Sequence, residues 1–334
     1  MSILIHQPGM LCTIQDMGRK KYGKYGISIS GAIDTFAHQI ANRLVGNKED
    51  QATLEITLSG WVGEFQSDHW IAITGGNLCP LIDGKEVPMW RPIWVRQGST
   101  LVFKRVISGC RAYLAVSGGL DIDSVMESSS TYLRAGIGGL EGRALQKKDI
   151  IHIQKSRLLL PSSMDPSTDS FYSVRWSVAY SLLPHYHQSP VIRFISGRQW
   201  DDFTKQSQQL LCENEYQITP QSDRMGYRLQ GAPLQLTQPH EYISEAVADG
   251  TIQVPVDGQP IVLMADRQTL GGYPKIGHVI SVDLPLLAQL APGDSLRFYR
   301  ITLAQAQSLY IHKRDQLQRL YRMIDVALRP FTIG

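Results

Sequence analysis

The chain has 334 residues, of which 43% are hydrophobic and 19% are charged, and its formal net charge is +3. This composition is typical of a folded globular protein and excludes collagen-like and intrinsically disordered classes. Its basic residues are scattered and no run approaches the roughly 20 apolar residues that span a membrane, so we expect neither a nucleic-acid partner nor a membrane.

Short strands separated by turns dominate residues 1–155, which we predict to form the first half of the protein. The strongest strand signals are Thr53–Leu58, Trp70–Thr74, Ile93–Val95, Thr100–Lys104 and Ala112–Val116. Asp83-Gly84 lies between two short runs of strand-forming residues and predicts a tight hairpin.

One helix interrupts these strands. Apolar residues between Ala32 and Val45 fall on a single helical face, and Gly46-Asn47 is a stop signal. Ser30 is the candidate N-cap, and Asp34 follows in the first turn, where the helix dipole favours an anion.

Residues 156–190 are rich in proline, serine and histidine and predict a linker, after which a second strand-rich half covers residues 191–300. Its best strand signals are Val191–Ile195, Tyr216–Ile218, Leu234–Leu236, Thr251–Val254, Ile261–Ala265 and His278–Val282. Asp257-Gly258 is a second hairpin signal. Periodicity predicts a short helix over 283–290 and a long one over 303–328, within a C-terminal segment 301–334.

These elements predict a mainly β protein with a few helices. Strands and helices do not alternate regularly, which argues against a doubly wound parallel sheet. Closed or partly closed barrels are the natural architecture for so many short strands.

Several functional motifs are absent from the sequence. There is no P-loop, no HExxH and no GxSxG, and the glycines from Gly136 to Gly142 miss the spacing of a dinucleotide fingerprint. His185 and His187 could share one face of a strand, but we interpret them as loop histidines and predict no metal site. No Met-Lys-Met acceptor occurs, so we expect no biotin on this chain.

The four cysteines are widely spaced and form no CxxC, and no secretory signal precedes the first strand. Both observations favour a reduced, cytoplasmic protein.

Four dense blocks of glycine, serine, arginine and acidic residues carry the functional information. Glycines allow close backbone approach and expose N–H donors, and arginines supply forked donors for carboxylate or phosphate. Glutamine side chains can both donate to and accept from an amide. Tight turns held by local hydrogen bonds, and a structural pair such as Asp16 with Arg19, remain an open alternative. The blocks cover residues 13–34, 42–57, 113–143 and 222–274.

These motifs, in this order over residues 3–300, resemble the allophanate hydrolase subunit 2 family, also described as biotin-dependent carboxyltransferase-like, whose better-defined bacterial members are 5-oxoprolinase C subunits. The local departures are Thr74-Gly75-Gly76-Asn77 and Met126-Glu127-Ser128. The most specific matching segments are Thr13–Arg19, Ser30–Asp34, Ala41–Asn47, Leu54–Thr57, Tyr113–Gly119, Ser222–Leu229, Ile252–Pro255 and Asp266–Pro274.

The resemblance implies two cyclophilin-like β-barrel halves. It also implies two protein partners, the 5-oxoprolinase B subunit, which would bind this chain directly, and the A subunit. The complex would use ATP with Mg²⁺ to open a small-molecule substrate, 5-oxo-L-proline, to L-glutamate. Two alternatives remain open within the same resemblance. One is the carboxyltransferase module of a urea-carboxylase-like biotin enzyme, and the other is a non-catalytic regulator of a kinase-inhibitor partner.

The resemblance and the chemistry of the four blocks together suggest the site residues. As candidates for acid/base, Mg²⁺ or lactam-orienting work we single out Asp16, Asp34, Asp266 and Gln268. As candidates for substrate or anion binding we single out Arg19, Ser30, Gly31, Ser117, Gly118, Arg224, Arg228, Gln253, Thr269 and Tyr273.

Overall fold

The computed structural model describes residues 1–156, 158–159 and 169–331. The chain folds as two compact units. The first comprises Met1–Gly18, Asp34–Pro184 and Leu317–Gly334, and the second comprises Arg19–Ile33 and His185–Gln316. The units therefore differ from the predicted contiguous halves, because residues 19–33 belong to the second unit and residues from 317 onward belong to the first.

The first unit contains twelve described strands and one helix of its own. The strands are β1 Ser2–Pro8, β2 Leu11–Gln15, β3 Thr53–Thr57, β4 Trp61–Phe65, β5 His69–Asn77, β6 Pro80–Ile82, β7 Lys85–Glu86, β8 Ile93–Val95, β9 Thr100–Phe103, β10 Ser108–Val116, β11 Ile150–His152 and β12 Phe171–Ser173. The helix is α1 Thr35–Leu44.

The strands of the first unit form two six-stranded sheets, ordered β11-β1-β4-β9-β6-β7 and β12-β8-β5-β10-β3-β2. In β1 the burial alternates, with Ile3 and Ile5 inside, as expected for a sheet with one face on a core. Side chains from both sheets build a single hydrophobic core, including Phe65, Ile73 and Leu114. Strand β10 is buried almost throughout because α1 also packs on it.

Helix α1 begins later than the sequence predicted. Its N-cap is Asp34, whose side chain accepts a hydrogen bond from the Ala37 N–H, so the prediction that Ser30 caps the helix is wrong. The reason lies in the backbone, because Ser30 and Gly31 both have positive φ values, of 56° and 96°, and cannot lead directly into a helix.

Strand β12 lies within the segment predicted as the linker and pairs with β8. A 3₁₀ turn follows at Tyr180–Leu182. The remainder of the predicted linker includes residues 157 and 160–168, which lie outside the described residues. The Asp83-Gly84 hairpin is confirmed between β6 and β7, with φ values of 47° and 81° at the two turn residues.

The second unit is built on a closed barrel with the strand order β13-β20-β17-β18-β15-β14-β21. The barrel strands are β13 Val191–Ser196, β14 Glu215–Ile218, β15 Gly226–Gln230, β17 Thr251–Gln253, β18 Ile261–Leu263, β20 Lys275–Val279 and β21 Ser295–Arg300. The parallel pairing of β13 with β21 closes it. The prediction of a mainly β protein with barrel architecture is thereby confirmed.

Phe194, Tyr216, Ile252, Val262 and Phe298 are among the side chains that fill the barrel core. Outside the barrel, β16 Glu245–Ala246 and β19 Leu270–Gly271 pair as a separate two-stranded ribbon.

Three further helices complete the described chain: α2 Lys205–Glu213, α3 Leu284–Leu287 and α4 Leu303–Leu328. Helix α4 has the bounds that periodicity predicted. In its C-terminal part, the buried residues are Leu320, Tyr321, Ile324 and Leu328. The guanidinium of Arg43, on α1, donates to the carboxylate of Asp325, on α4, at 2.5 Å. No helix in the described part of the chain combines the length and apolar character needed to cross a membrane.

Candidate functional site

Residues 19–33, which we call the insert, form a closed loop attached to the second unit. Its base is closed by the Arg19 N–H, which donates to the Ile29 carbonyl at 2.7 Å. A 3₁₀ turn at Gly23–Tyr25 ends at Gly26, whose φ of 81° is the left-handed conformation that favours glycine. The Ser30 N–H then donates to the Ala265 carbonyl at 3.1 Å, which anchors the loop beyond strand β18.

A buried ion pair makes the second anchor of the insert. Arg224 donates from Nε to Oδ2 of Asp266 at 2.9 Å and from Nη2 to Oδ1 at 3.1 Å. Nη2 also donates to the Gly31 carbonyl at 2.7 Å. Arg224 is 5% exposed and Asp266 is 4% exposed, so the pair is shielded from water. The arginine that sequence reasoning assigned to anion binding therefore neutralises an aspartate and positions the insert.

A cavity of about 330 Å³ opens between the insert and the ribbon formed by β16 and β19. It includes two predicted residues, Gln268 and Thr269, together with two cationic ones, Lys24 and Arg267. The lining consists of Gly23, Lys24, Gly26, Ile29, Ala246, Val247, Arg267, Gln268, Thr269 and Leu270.

Arg267 is the buried charge of this cavity. Its Nη1 pairs with a carboxylate oxygen of Asp249, and its Nε donates to the Val247 carbonyl at 3.4 Å. Burial lowers the pKa of Arg267 from its usual value. Burial also raises the pKa of Asp249, although the positive charge of Arg267 opposes that rise.

A larger cavity of about 690 Å³ lies elsewhere in the second unit and is mostly apolar. Tyr273 is the only residue of the predicted site that lines it, alongside aromatic and proline side chains such as Phe203, Tyr242 and Pro274. The Tyr242 hydroxyl donates to Asp202 at 3.0 Å. Burial, together with the neighbouring Asp202 carboxylate, raises the pKa of Tyr242 to about 12.

Gln253 lies on β17 with its side chain 2% exposed. Its Nε2 finds no hydrogen-bond partner among the described residues. A Cβ placed on Gly271 would lie 2.3 Å from that nitrogen, so the glycine makes room for the amide. An unsatisfied buried amide donor is costly and is compatible with the predicted role in binding a carbonyl group.

Asp16, predicted as an acid/base or Mg²⁺ candidate, accepts hydrogen bonds from the serine loop formed by Ser128, Ser129 and Ser130. Its Oδ1 accepts from the hydroxyls of Ser128 and Ser130, at 2.7 and 2.5 Å, and from the Gly18 N–H at 2.7 Å. Its Oδ2 accepts from the Ser129 N–H at 2.6 Å. Three of these four bonds come from residues more than 110 positions later in the sequence, so Asp16 joins its own turn to that loop.

Asp34, besides capping α1, joins a buried polar cluster in the first unit. Its backbone N–H donates to the Tyr113 hydroxyl, which donates to Glu55 Oε2, both at 2.8 Å. Burial and the nearby carboxylate of Glu55 raise the pKa of Tyr113. His38 packs edge-on against that ring and bonds Thr53 through Nδ1 at 2.9 Å. Full burial lowers the pKa of His38 to about 4.

Ser117 and Gly118 lie in a turn of the first unit. The Ser117 hydroxyl bonds the Ser156 hydroxyl at 2.7 Å, and the Gly118 N–H donates to Asn47 Oδ1 at 3.0 Å. A Cβ on Gly118 would lie 2.4 Å from the Gln154 carbonyl oxygen, so the glycine is required by local packing.

The structure thus divides the predicted residues between the two units. Arg19, Ser30 and Gly31 belong to the insert, Arg224 and Asp266 hold it, and Gln268 and Thr269 line the neighbouring cavity. Arg228 has an exposed side chain, and its backbone N–H donates to the Ser222 hydroxyl. Asp16, Asp34, Ser117 and Gly118 belong to the first unit.

Sequence reasoning missed Lys24, Arg267, Tyr113 and Glu55 as members of polar sites. Arg267 lies between two predicted residues, Asp266 and Gln268, so its position in the same dense block was the available signal. Lys24 stands in a glycine- and tyrosine-rich stretch that only the folded insert brings to the cavity.

Comparisons with known proteins agree on one family. A family profile described as carboxyltransferase domain, subdomain A and B, matches residues 25–300. The chain is 39% identical over 321 residues to the 5-oxoprolinase C subunit of Escherichia coli strain K12, with 96% of each chain covered. It is 37% identical over 313 residues to the Haemophilus influenzae protein of the same name, covering 94% of this chain and 96% of the relative.

The fold is shared with a much longer fungal enzyme. The crystal structure of the K. lactis urea amidolyase matches 95% of this chain with a TM-score of 0.86 and 26% identity. This chain spans only 20% of that protein, so the likeness concerns one module of it.

Proposed function

We propose that this chain is the C subunit of an ATP-dependent 5-oxoprolinase, because it belongs to the carboxyltransferase family with subdomains A and B and resembles bacterial 5-oxoprolinase C subunits over at least 94% of its length. The observation that carries the proposal is the 39% identity that covers 96% of both chains. A relative matched from end to end supports a shared role better than one matched over a single module.

The proposed reaction explains why ATP is consumed. A lactam is a poor electrophile, and transfer of the γ-phosphoryl group to its oxygen makes the ring carbon open to attack. Water adds to that carbon, the ring C–N bond breaks as nitrogen takes a proton, and a second water releases phosphate from the acyl phosphate. One 5-oxo-L-proline, one ATP and two waters thus give L-glutamate, ADP and phosphate. Catalysis of such transfers depends mainly on positioning and charge stabilisation.

In this proposal the insert and its neighbouring cavity supply substrate recognition. Gln268 would hydrogen-bond the lactam amide, with Thr269 beside it, and Gln253 remains a candidate for a second amide contact. Arg224 and Asp266 act as positioning residues, because their hydrogen bonds fix the insert that forms one wall of the cavity.

The described residues of this chain suit a Mg²⁺ ion poorly. Among the described residues, no group of three or more histidine, cysteine or acidic side chains gathers as a metal site would require. The three aspartates suggested for that work are each engaged, by the serine loop, by helix α1 and by Arg224. This arrangement supports a complex in which a partner protein provides most of the contacts to Mg²⁺–ATP.

We further propose that this chain binds the B subunit directly, that the A subunit completes the assembly, and that the whole complex is cytoplasmic. The names of the bacterial relatives support a multi-subunit enzyme. The four cysteines, all within the described residues, form no disulfide, which is compatible with a reducing compartment.

The test is reconstitution of the full chain with its two partner proteins, the A and B subunits. We expect ATP-dependent release of glutamate from 5-oxo-L-proline by the complete mixture and its loss when this chain is omitted. Full activity without this chain, or none in a complete mixture of well-folded proteins, would contradict the proposal.

A second candidate is a carboxyltransferase module that works with a biotin carrier supplied by another protein. The family profile and the K. lactis likeness favour it. Addition of a carboxylated biotin carrier and urea to the purified chain distinguishes the two. Transfer of labelled carboxylate to urea would support this candidate, and its absence beside glutamate release would support the first.

A further inference from the structure

Two cationic side chains, Lys24 and Arg267, line the cavity between the insert and the ribbon. No acidic side chain is among the described residues that line it. We propose that this cavity binds the substrate of the proposed reaction through its carboxylate, so that Lys24 and Arg267 determine specificity for a small lactam that carries an acid group. The inference rests on the proposed function for the identity of the lactam.

Arg267 is suited to hold an anion without losing its own position. Its Nη1 is held by Asp249 and approaches the Met264 carbonyl at 3.5 Å, while Nε bonds the Val247 carbonyl. Within the described part of the chain, Nη2 makes no hydrogen bond. One guanidinium nitrogen is therefore left to donate to a ligand, and a buried guanidinium gives a stronger charge-assisted bond than an exposed one.

Lys24, on the insert, supplies the second cationic side chain of the lining. Its ammonium lies 5.0 Å from the centroid of the Tyr25 ring and forms no ion pair with any described residue. In the proposed complex the ligand carboxylate pairs with both the Lys24 ammonium and the Arg267 guanidinium. Because Lys24 is exposed, its positive charge also attracts the anion from solvent into the cavity.

The remaining lining suits the rest of such a molecule. Gln268 offers an amide that can both donate and accept, as a lactam requires, and Thr269 adds a hydroxyl. Ile29, Val247 and Leu270 supply apolar contacts for ring methylenes. A volume of about 330 Å³ lies at the small end of ligand pockets, which favours a small ring over a nucleotide.

The experiment measures binding of 5-oxo-L-proline and 2-pyrrolidinone, the same lactam without the carboxylate, to the full chain alone and in the complex with both partners. We expect the acid to bind at least tenfold more tightly than 2-pyrrolidinone, because a charge-assisted pair contributes about that factor. Lys24→Gln should weaken 5-oxoproline binding about tenfold without changing 2-pyrrolidinone binding, and Lys24→Arg should restore it. Thr269→Val removes a hydroxyl from the cavity lining and should weaken the binding of both ligands.

Lys20→Gln is the matched control, because it removes an equal charge from the exposed part of the insert without touching the cavity. Equal affinity for the two lactams, or no change in Lys24→Gln, overturns the inference. Tighter binding of inorganic phosphate than of 5-oxoproline through Lys24 also overturns it, since the cavity would then be a phosphate site.

Activity separates this inference from the proposed function. In an active complex, Lys24→Gln should raise KM for 5-oxoproline about tenfold and leave kcat within twofold. An unchanged KM beside normal glutamate release would overturn the carboxylate site alone. Lys24-dependent binding of 5-oxoproline without any glutamate release would overturn the proposed reaction and keep the binding site.

Discussion

Arg224 and Asp266 form a bidentate ion pair that is almost fully buried, and the same guanidinium donates to the Gly31 carbonyl 193 residues earlier in the sequence. The pair therefore connects the barrel to the insert. The forked guanidinium can bond the carboxylate and the Gly31 carbonyl at the same time, so Arg224 acts here through its geometry.

Arg224→Ala should lower the free energy of unfolding by about 3 kcal/mol, because it leaves the Asp266 carboxylate buried without its partner. It should also loosen the insert and reduce glutamate release. Chemical denaturation and hydrogen exchange of residues 19–33 measure the two effects. Arg228→Ala is the control, since its side chain is exposed. Equal stability of the two variants would contradict the positioning role.

Asp16→Asn should destabilise the first unit by about 2 kcal/mol. The substituted amide turns one acceptor into a donor, while the four donors that now bond the carboxylate stay in place. Urea denaturation measures the change. Asp123→Asn, at an exposed position of the same unit, should change stability by less than about 0.5 kcal/mol. Loss of activity in Asp16→Asn with unchanged stability would instead favour a catalytic role.

Stability should fall as the pH drops from about 6.5 to about 4, in part because of His38. Burial lowers the pKa of this histidine to about 4 in the folded protein, so below pH 6.5 the unfolded chain takes up a proton that the folded chain does not. The stabilisation is complete above the unfolded pKa, and a lowering of the pKa from 6.5 to about 4 is equivalent to about 3 kcal/mol.

The pH effect is checked with urea titrations of the wild type and His38→Gln between pH 7.5 and 4.5. The variant should show the shallower loss of stability. His152→Gln, on the exposed side of β11, should follow the wild type. Parallel curves for all three proteins would show that His38 does not contribute.

Gly118→Ala should destabilise the protein by more than about 2 kcal/mol. Its φ is 92°, and the added Cβ would lie 2.4 Å from the Gln154 carbonyl oxygen, so strain and a backbone clash add together. Gly98→Ala is matched in φ, at 82°, but meets no atom within 4 Å, and should cost only about 1 kcal/mol. Thermal unfolding of the two variants separates packing from backbone strain.

The sequence predicted the elements whose pattern is local. The long helix α4 matched its periodicity, and Asp83-Gly84 formed the hairpin that its residue types require. The predicted strand Leu234–Leu236 was wrong: its only strand-like pairing among the described residues is an isolated bridge from Leu236 to Phe203. Pro233, which lacks an N–H donor, immediately precedes it.

The candidate site depended on contacts that no local pattern encodes. Ser30 had the residue type and spacing of an N-cap, but its N–H bonds Ala265 and its φ is positive, so Asp34 caps the helix. Arg224 had the chemistry of an anion site, but Asp266 lies 42 residues later and occupies it. Composition marked the dense blocks, and only long-range pairing separates the side chains held in structural contacts from those that line the cavity.

The assignment of residues 19–33 to the second unit constrains how the protein can be made and divided. At a synthesis rate of about 5–20 residues per second, the insert leaves the ribosome roughly 10–40 s before Arg224. During that time it lacks the hydrogen bonds from the barrel that hold it in the folded protein. A cut in the predicted linker would give one fragment that carries an undocked insert and another whose barrel lacks it. We therefore expect the two units to be produced in folded form only from an uninterrupted chain, or from fragments that are present together.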